Sequence, residues 1–215
     1  MLRLHTYFRS SASFRVRIAL NLKDLPWEPE VVWLPSGEQT GEAFRAINPQ
    51  GLVPVLVDGE HRIAQSLAII EYLDETKPGR KLLPPDPLGR ARVRSLSMLV
   101  AAEIHPLNNL RVLNHLRDVV GLDAEAIGRW YRHWCDEGLA ALERELDDAR
   151  TGRFCHGDEP TMADVCLVPQ IFNARRYDTK VERYERTMRI FDECMRLEAF
   201  RKAQPSEQAE AARAG

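Results

Sequence analysis

The stretch YFRSSASFRVRIAL, residues 7–20, places Ser10, Ser11 and Ser13 where an arginine-rich helical pattern begins. Serines at such a junction do one of two things. Their side-chain oxygens accept hydrogen bonds from free N–H groups of the first helical turn. Alternatively, the helix N-terminus they frame binds an anion, because its N–H groups and dipole favour negative charge. A second feature is Val53-Pro54. Proline cannot donate to a neighbouring strand, so this backbone is either a plain sheet edge or a pairing edge for a peptide-like ligand. A third is Gln65-Ser66 at the start of another helical pattern, where the Ser66 hydroxyl and N–H either cap the helix or hold a carboxylate. Further on, EIHPLNNLRVL sets His105 and Asn109 four apart, on one helix face, and turns Arg111 another way. His105 also reads as a packing histidine and Arg111 as a solvated charge.

These residues need elements to position them. Residues 2–5 and 31–34 read as short strands. Phe14, Ile18 and Leu22 recur at i, i+4, i+8 between them, one face of a helix, so this is a βαβ unit. Residues 55–57 and 61–63 read as strands joined at Asp58-Gly59, a hairpin turn signal. Ser66 then caps a helix with Leu67, Ile70 and Leu73 on its buried side. The Pro- and Gly-rich stretch KPGRKLLPPDPLGR reads as a linker, and the chain beyond it is helical throughout. Val93, Leu96, Val100, Leu107 and Leu110 mark a long first helix that Pro106 should kink. Residues 124–149 form a second helix. A third begins at PTMADVCLVPQIF, where Thr161 and Asp164 make a variant capping box. The terminal SEQAEAARAG is polar and small, and is expected to fray. The four tryptophans show no chemical pattern and are assigned to packing.

The composition narrows the class of function. In 215 residues, 44% are hydrophobic and 29% charged, ordinary for a folded protein. A net charge of −2 speaks against bulk nucleic-acid binding or attraction to an acidic membrane. No apolar run reaches the roughly 18 residues that span a bilayer, and the N-terminus lacks the apolar core of a signal peptide. Cys135, Cys155, Cys166 and Cys194 form no CxxC pair. That spacing fits buried thiols in a reducing compartment, with neither a metal site nor a disulfide framework.

A serine turn at the first helix, Val-Pro before a strand and Gln-Ser at a later helix start occur here in one order. With these, the segments YFRSSASFRVRIAL, NPQGLVPVL, QSLAIIEYLDET, HPLNNLRVL and GDEPTMADVCLVPQIFNARR resemble the zeta-class glutathione transferases, which include the maleylacetoacetate and maleylpyruvate isomerases. The resemblance covers nearly the whole chain. It implies the glutathione transferase fold: an α/β thioredoxin-like N-terminal domain (βαβ-ββα, residues 1–80), a linker at 81–86, and an all-α helical bundle domain (87–215) carrying the substrate side of the site. The departure is Ala12, where the family usually has cysteine. This tilts the resemblance toward the maleylpyruvate branch without deciding it.

The resemblance also implies roles. Ser10, and after it Ser11, would hold the glutathione sulfur as a thiolate. Val53 would pair with the cysteinyl backbone, Gln65 and Ser66 with the γ-glutamyl end, and Gln39 with the glycyl end. His105 and Asn109 would lie near glutathione. Arg9, Arg111 and Arg176 would bind substrate carboxylates, since a guanidinium fork matches a carboxylate with two parallel hydrogen bonds. Arg15 and Arg175 compete for that task, although Arg15 and Arg17 also read as structural or solvent-facing. The implied enzyme is a glutathione-dependent cis-trans isomerase of a maleyl diketo acid from aromatic catabolism, including tyrosine degradation. It would be a cytoplasmic homodimer with a small dicarboxylic substrate, glutathione as cofactor, no metal, and no nucleic-acid or membrane partner. One alternative is a general glutathione transferase or dehalogenase acting on small electrophiles such as α-halo acids. The other is a non-catalytic binding module, which the retained serine turn, Val-Pro and Gln-Ser argue against.

Overall fold

Leu2, Leu4 and Thr6 are buried while Arg3 faces solvent, the alternation of a strand with one face on a core. In the computed structural model, which describes residues 1–214, this segment is β1 (Leu2–Thr6), within a four-stranded sheet of order β2-β1-β3-β4. β2 (Trp27–Val31) runs parallel to β1, with Leu2 opposite Trp27. β3 (Val55–Asp58) runs antiparallel to it, with Leu4 opposite Leu56. β4 (His61–Ala64) completes a hairpin whose turn residue Gly59 has φ 60°, a conformation open to glycine because it lacks Cβ. The parallel pair needs a crossover, and α1 (Ser11–Leu22) supplies it. α2 (Glu42–Arg45) precedes β3 and α3 (Ser66–Thr76) follows β4. Leu4, Val16, Leu20, Leu56, Ile69 and Leu73 from the sheet, α1 and α3 form one core.

The chain divides into two compact units. One is Met1–Leu82 together with the chain from Met195 onward; the other is Leu83–Cys194. Three expectations for the first unit change. The second strand lies four residues before the 31–34 run, because β2 is an edge strand that tolerates Pro29, and Leu34–Ser36 winds into a 3₁₀ turn. Ser66 does not cap α3. It is the first helical residue, and Gln65 before it takes φ 72°. The terminal segment expected to fray is instead docked. α10 (Glu198–Lys202) is followed by 3₁₀ turns at Pro205–Glu207 and Ala209–Ala214, and Ala211 packs against the buried cluster that contains Tyr7, Phe8 and Val53. Gly215, the last residue of that segment, lies outside the described residues.

The second unit is helical. α4 (Pro87–Met98) continues into a π-helical turn at Leu99–Ile104, then α5 (His105–Leu107) and α6 (Leu110–Asp118). The expected single kinked helix is therefore broken, and Pro106 does not break it. Pro106 follows directly on the π turn, whose last bond runs from the His105 N–H to the Val100 carbonyl, and the helix passes through it as far as Leu107. The break follows at Asn108-Asn109, where the Asn109 side chain caps α6. α7 (Ala124–Glu145) stops short of residue 149, because Asp148 draws the Arg150 N–H (2.8 Å) into a turn. α8 (Met162–Arg176) starts with the expected capping box. Buried Asp164 accepts from the Thr161 N–H at 2.7 Å and from the Cys155 N–H at 2.8 Å. α9 (Glu185–Arg196) runs to the unit's boundary. All four cysteines are free and buried. Among the described residues, no helix is long and apolar enough to cross a membrane.

Candidate active site

The first unit assembles its site residues from turns. Ser10 is the N-cap of α1, and its Oγ accepts from the Ser13 N–H at 3.2 Å while its own N–H donates to the Tyr7 carbonyl at 2.9 Å. Capping uses only one acceptor lone pair, so the Ser10 O–H proton remains available to donate to an anion. The two readings of this serine are therefore compatible. Ser11, the first residue of α1, is buried, and the α1 N-terminus adds the positive end of its dipole.

A second set forms beside a loop closed by Asn48. The Asn48 side chain donates to the Leu52 carbonyl at 2.7 Å and accepts from the Gln50 N–H at 3.1 Å, shaping the turn ahead of Val53. The Val53-Pro54 bond is cis. Gly51 has φ +64°, and a Cβ there would meet the Gln39 carbonyl oxygen at 2.8 Å, so its bare Cα lets the Gln39 loop approach. The Gln39 Oε1 is buried without a hydrogen-bond partner, an acceptor that a ligand N–H would satisfy. Gln65 donates from Nε2 to Gln50 Oε1 at 2.9 Å. The Ser66 Oγ accepts from Arg15 Nη1 at 3.3 Å, both residues being buried. Arg15 is therefore not aimed at a substrate carboxylate from solvent; it supports Ser66. A bare-Cα approach, an orphaned buried acceptor and polar groups at two helix starts are the fittings a small peptide needs, so these residues suit glutathione.

The second unit brings together the rest. Asn109 Nδ2 lies 3.4 Å from His105 Nε2, so the pair meets although the helix is interrupted between them. Asn109 Oδ1 accepts from the Arg111 N–H at 3.1 Å, and the Arg111 side chain is exposed. This turn is pinned from α7: Trp130 Nε1 donates to the Leu107 carbonyl at 2.9 Å, and Asn108 Nδ2 donates to the Tyr131 carbonyl at 3.2 Å. Tyr131 stacks on Tyr177 with ring centroids 3.8 Å apart, and the Arg176 guanidinium lies over Tyr177 at 5.8 Å. Burial pushes the Tyr131 hydroxyl far above its ordinary pKa, so it acts here as a neutral platform. Arg9, in the first unit, is exposed and lies 5.0 Å over Phe8.

Sequence reasoning missed Gln50, Asn48 and the Tyr131–Tyr177 stack. The run NPQG held the first two in plain view, since Asn and Gly mark turns. The stack carries no signal, because its members are 46 positions apart and pair only after folding. A cavity of about 390 Å³ in the second unit shares no residue with these sets. Its arginines are committed, Arg186 to Asp147 and Arg189 to the Gly152 carbonyl, and it has no part in the site.

Two family models match the chain: "Glutathione S-transferase, N-terminal domain" over residues 4–81 and "Glutathione S-transferase, C-terminal domain" over 134–200. A maleylacetoacetate isomerase of Rhizobium meliloti is 51% identical over 94% of this chain and 95% of its own length. A solved holo maleylpyruvate isomerase, described as a bacterial glutathione-S-transferase in Zeta class, superposes with a TM-score of 0.95 at 44% identity, covering 97% of this chain and 99% of that one. A maleylacetoacetate isomerase from Methylobacterium extorquens AM1, solved with bound malonate and GSH, also gives 0.95, at 42% identity and the same coverage.

Proposed function

The chain belongs to the glutathione S-transferase family, on its Zeta-class branch, and from that premise we propose that it is a glutathione-dependent cis-trans isomerase of a maleyl diketo acid, maleylacetoacetate or maleylpyruvate. The observation that carries the reading is the serine turn. Ser10 caps α1 and keeps a proton to donate, at the positive end of that helix. Glutathione supplies, when bound, a sulfur nucleophile for reversible addition to the cis double bond. Ser10, seconded by Ser11, donates a hydrogen bond to the sulfur and lowers its pKa from the free-thiol value of about 8.5. The Val53 backbone pairs with the peptide, Gln39 serves its glycyl end, and Gln65 with Ser66 serves its γ-glutamyl end. His105 and Asn109 contact the same molecule. Arg9, Arg111 and Arg176 bind the substrate's carboxylates and stabilise the charge that develops on its enolate. Ala12 removes a thiol that this chemistry does not use.

We assign the glutathione side to residues 1–80 and the substrate side to the helical chain from residue 87, joined by 81–86; of the 87–215 expected there, the chain from Met195 onward groups with the first unit instead. We place the enzyme in the cytoplasm, where four free cysteines suit a reducing milieu, as a homodimer serving aromatic catabolism, tyrosine degradation included. Light scattering at working concentration checks the dimer. The activity is tested by rates on maleylacetoacetate and maleylpyruvate, with and without glutathione, beside a small α-halo acid. Glutathione-dependent formation of the fumaryl product from either maleyl acid supports the reading. Turnover of the halo acid alone would replace it with a dehalogenase.

A further inference from the structure

Arg17 is the least expected residue of the first unit. It is 1% exposed, in the middle of α1, and its guanidinium contacts neither solvent nor an acidic side chain at bonding distance. Its nitrogens spread over four oxygens. Nη2 donates to the Phe8 carbonyl at 3.0 Å, and Nη1 to the Tyr7 carbonyl at 3.4 Å and Thr6 Oγ1 at 3.3 Å. Nε donates to the Ala203 carbonyl at 3.1 Å. Three of these belong to residues 6–8, the segment that delivers the chain to Ser10. The Tyr7 carbonyl that receives Nη1 also receives the Ser10 N–H, so one oxygen joins the guanidinium to the serine turn. The fourth oxygen belongs to the C-terminal segment, where Glu210 is itself buried and its Oε1 has no hydrogen-bond partner. Burial pulls the Arg17 pKa down to about 10 and the Glu210 carboxylate counters it, so the guanidinium is charged throughout the neutral range.

We propose that Arg17 is a positioning residue for the serine turn, and that the C-terminal segment, where the Ala203 carbonyl accepts its Nε–H and Glu210 is buried, holds it in place. The planar fork reaches Tyr7, Phe8, Thr6 and Ala203 together. A lysine ammonium has the charge but only three donors on one point, and cannot span them. This deepens the assignment of Ser10 and Ser11 to the glutathione sulfur and rests on it. Loosening the guanidinium lets residues 7–10 shift, and the Ser10 hydroxyl leaves the sulfur's reach without any contact between Arg17 and the ligand.

The test is the ultraviolet thiolate absorbance of bound glutathione at neutral pH, read on the full chain as parent, Arg17→Lys, Glu210→Gln and, as control, Glu207→Gln on the exposed part of the same segment. Thermal unfolding is followed alongside. Arg17→Lys should lower the thiolate fraction at least about threefold, the size of a helix-terminus interaction, with Glu210→Gln moving it in the same direction and Glu207→Gln leaving it at the parental value. If Arg17→Lys fails to fold, Glu210→Gln decides. Parental thiolate in both Arg17→Lys and Glu210→Gln overturns the inference and leaves the serine assignment standing. No thiolate in the parent overturns both.

Discussion

Apart from the exposed Arg9 and Gln65, the first unit's candidate groups are short side chains and backbone in buried turns, while the second unit's are exposed arginines at the ends of helices. Ser11 and Ser66 are each 5% exposed and Arg15 2%, whereas Arg111 and Arg176 stand in solvent. The difference has an energetic meaning. Ordering an exposed arginine on binding loses about 2 kcal/mol of rotamer entropy, while a buried serine has almost none left to lose. The locked surface suits a cofactor that never changes. Exposed arginines, if they bind the substrate as proposed, would suit a diacid whose length can vary, and maleylacetoacetate and maleylpyruvate differ in that way. The two units are also anchored differently. Arg17 and the C-terminal segment brace the first, and the Asp164 capping box braces the second.

If the units are braced separately, damage to one should spare the other. Asp164→Ala should remove about 3 kcal/mol of stability, because it leaves the buried N–H groups of Cys155 and Thr161 without their acceptor. Denaturant unfolding measures it, and glutathione affinity of the folded fraction should hold. Gly51→Ala is the converse. Its φ of +64° and the 2.8 Å approach to the Gln39 carbonyl predict a loss of about 2 kcal/mol together with weaker glutathione binding by calorimetry. Arg176→Met should raise the KM for the maleyl acid about tenfold, roughly 1.4 kcal/mol, with the glutathione Kd unchanged. Equal loss of both affinities would erase the distinction between the buried and exposed surfaces.

The smallest effect is an acid limb confined to the second unit. Burial pushes the Glu143 carboxyl up, but hydrogen bonds from the Thr187 and Arg186 N–H groups and the Thr187 hydroxyl outweigh it, so its pKa falls below the ordinary 4.5. A carboxyl lowered by folding contributes stability above its unfolded pKa and loses it as pH falls through the folded value. Thermal unfolding from pH 6 down to pH 3 should therefore drop less steeply in Glu143→Gln than in the parent.

Local signals were legible in the sequence and long-range ones were not. The Thr161–Asp164 box, the glycine of the β3–β4 turn and the serine at α1 each act within three residues, and each appears where its chemistry puts it. The helical run was expected to continue through a kink at Pro106 and instead ends after Leu107, at Asn109, whose capping preference was equally visible. β2 was misplaced because it carries Pro29, which a strand tolerates at an edge, and only the finished sheet reveals the edge. Arg15 at Ser66 and Arg17 at Ala203 bridge 51 and 186 positions, which no periodicity reports. Roles for Gln65 and Arg176 came from resemblance, since neither spacing nor charge singles them out.

The most direct measurement is a pH titration of the bound glutathione thiol in the parent, Ser10→Ala and Ser11→Ala proteins, followed by ultraviolet absorbance. The account predicts a parental pKa clearly below the free value of about 8.5, moving back toward it when Ser10 is replaced, with kcat falling about a hundredfold. A thiol that titrates in the parent as it does in free solution, or is indifferent to loss of both hydroxyls, would contradict it.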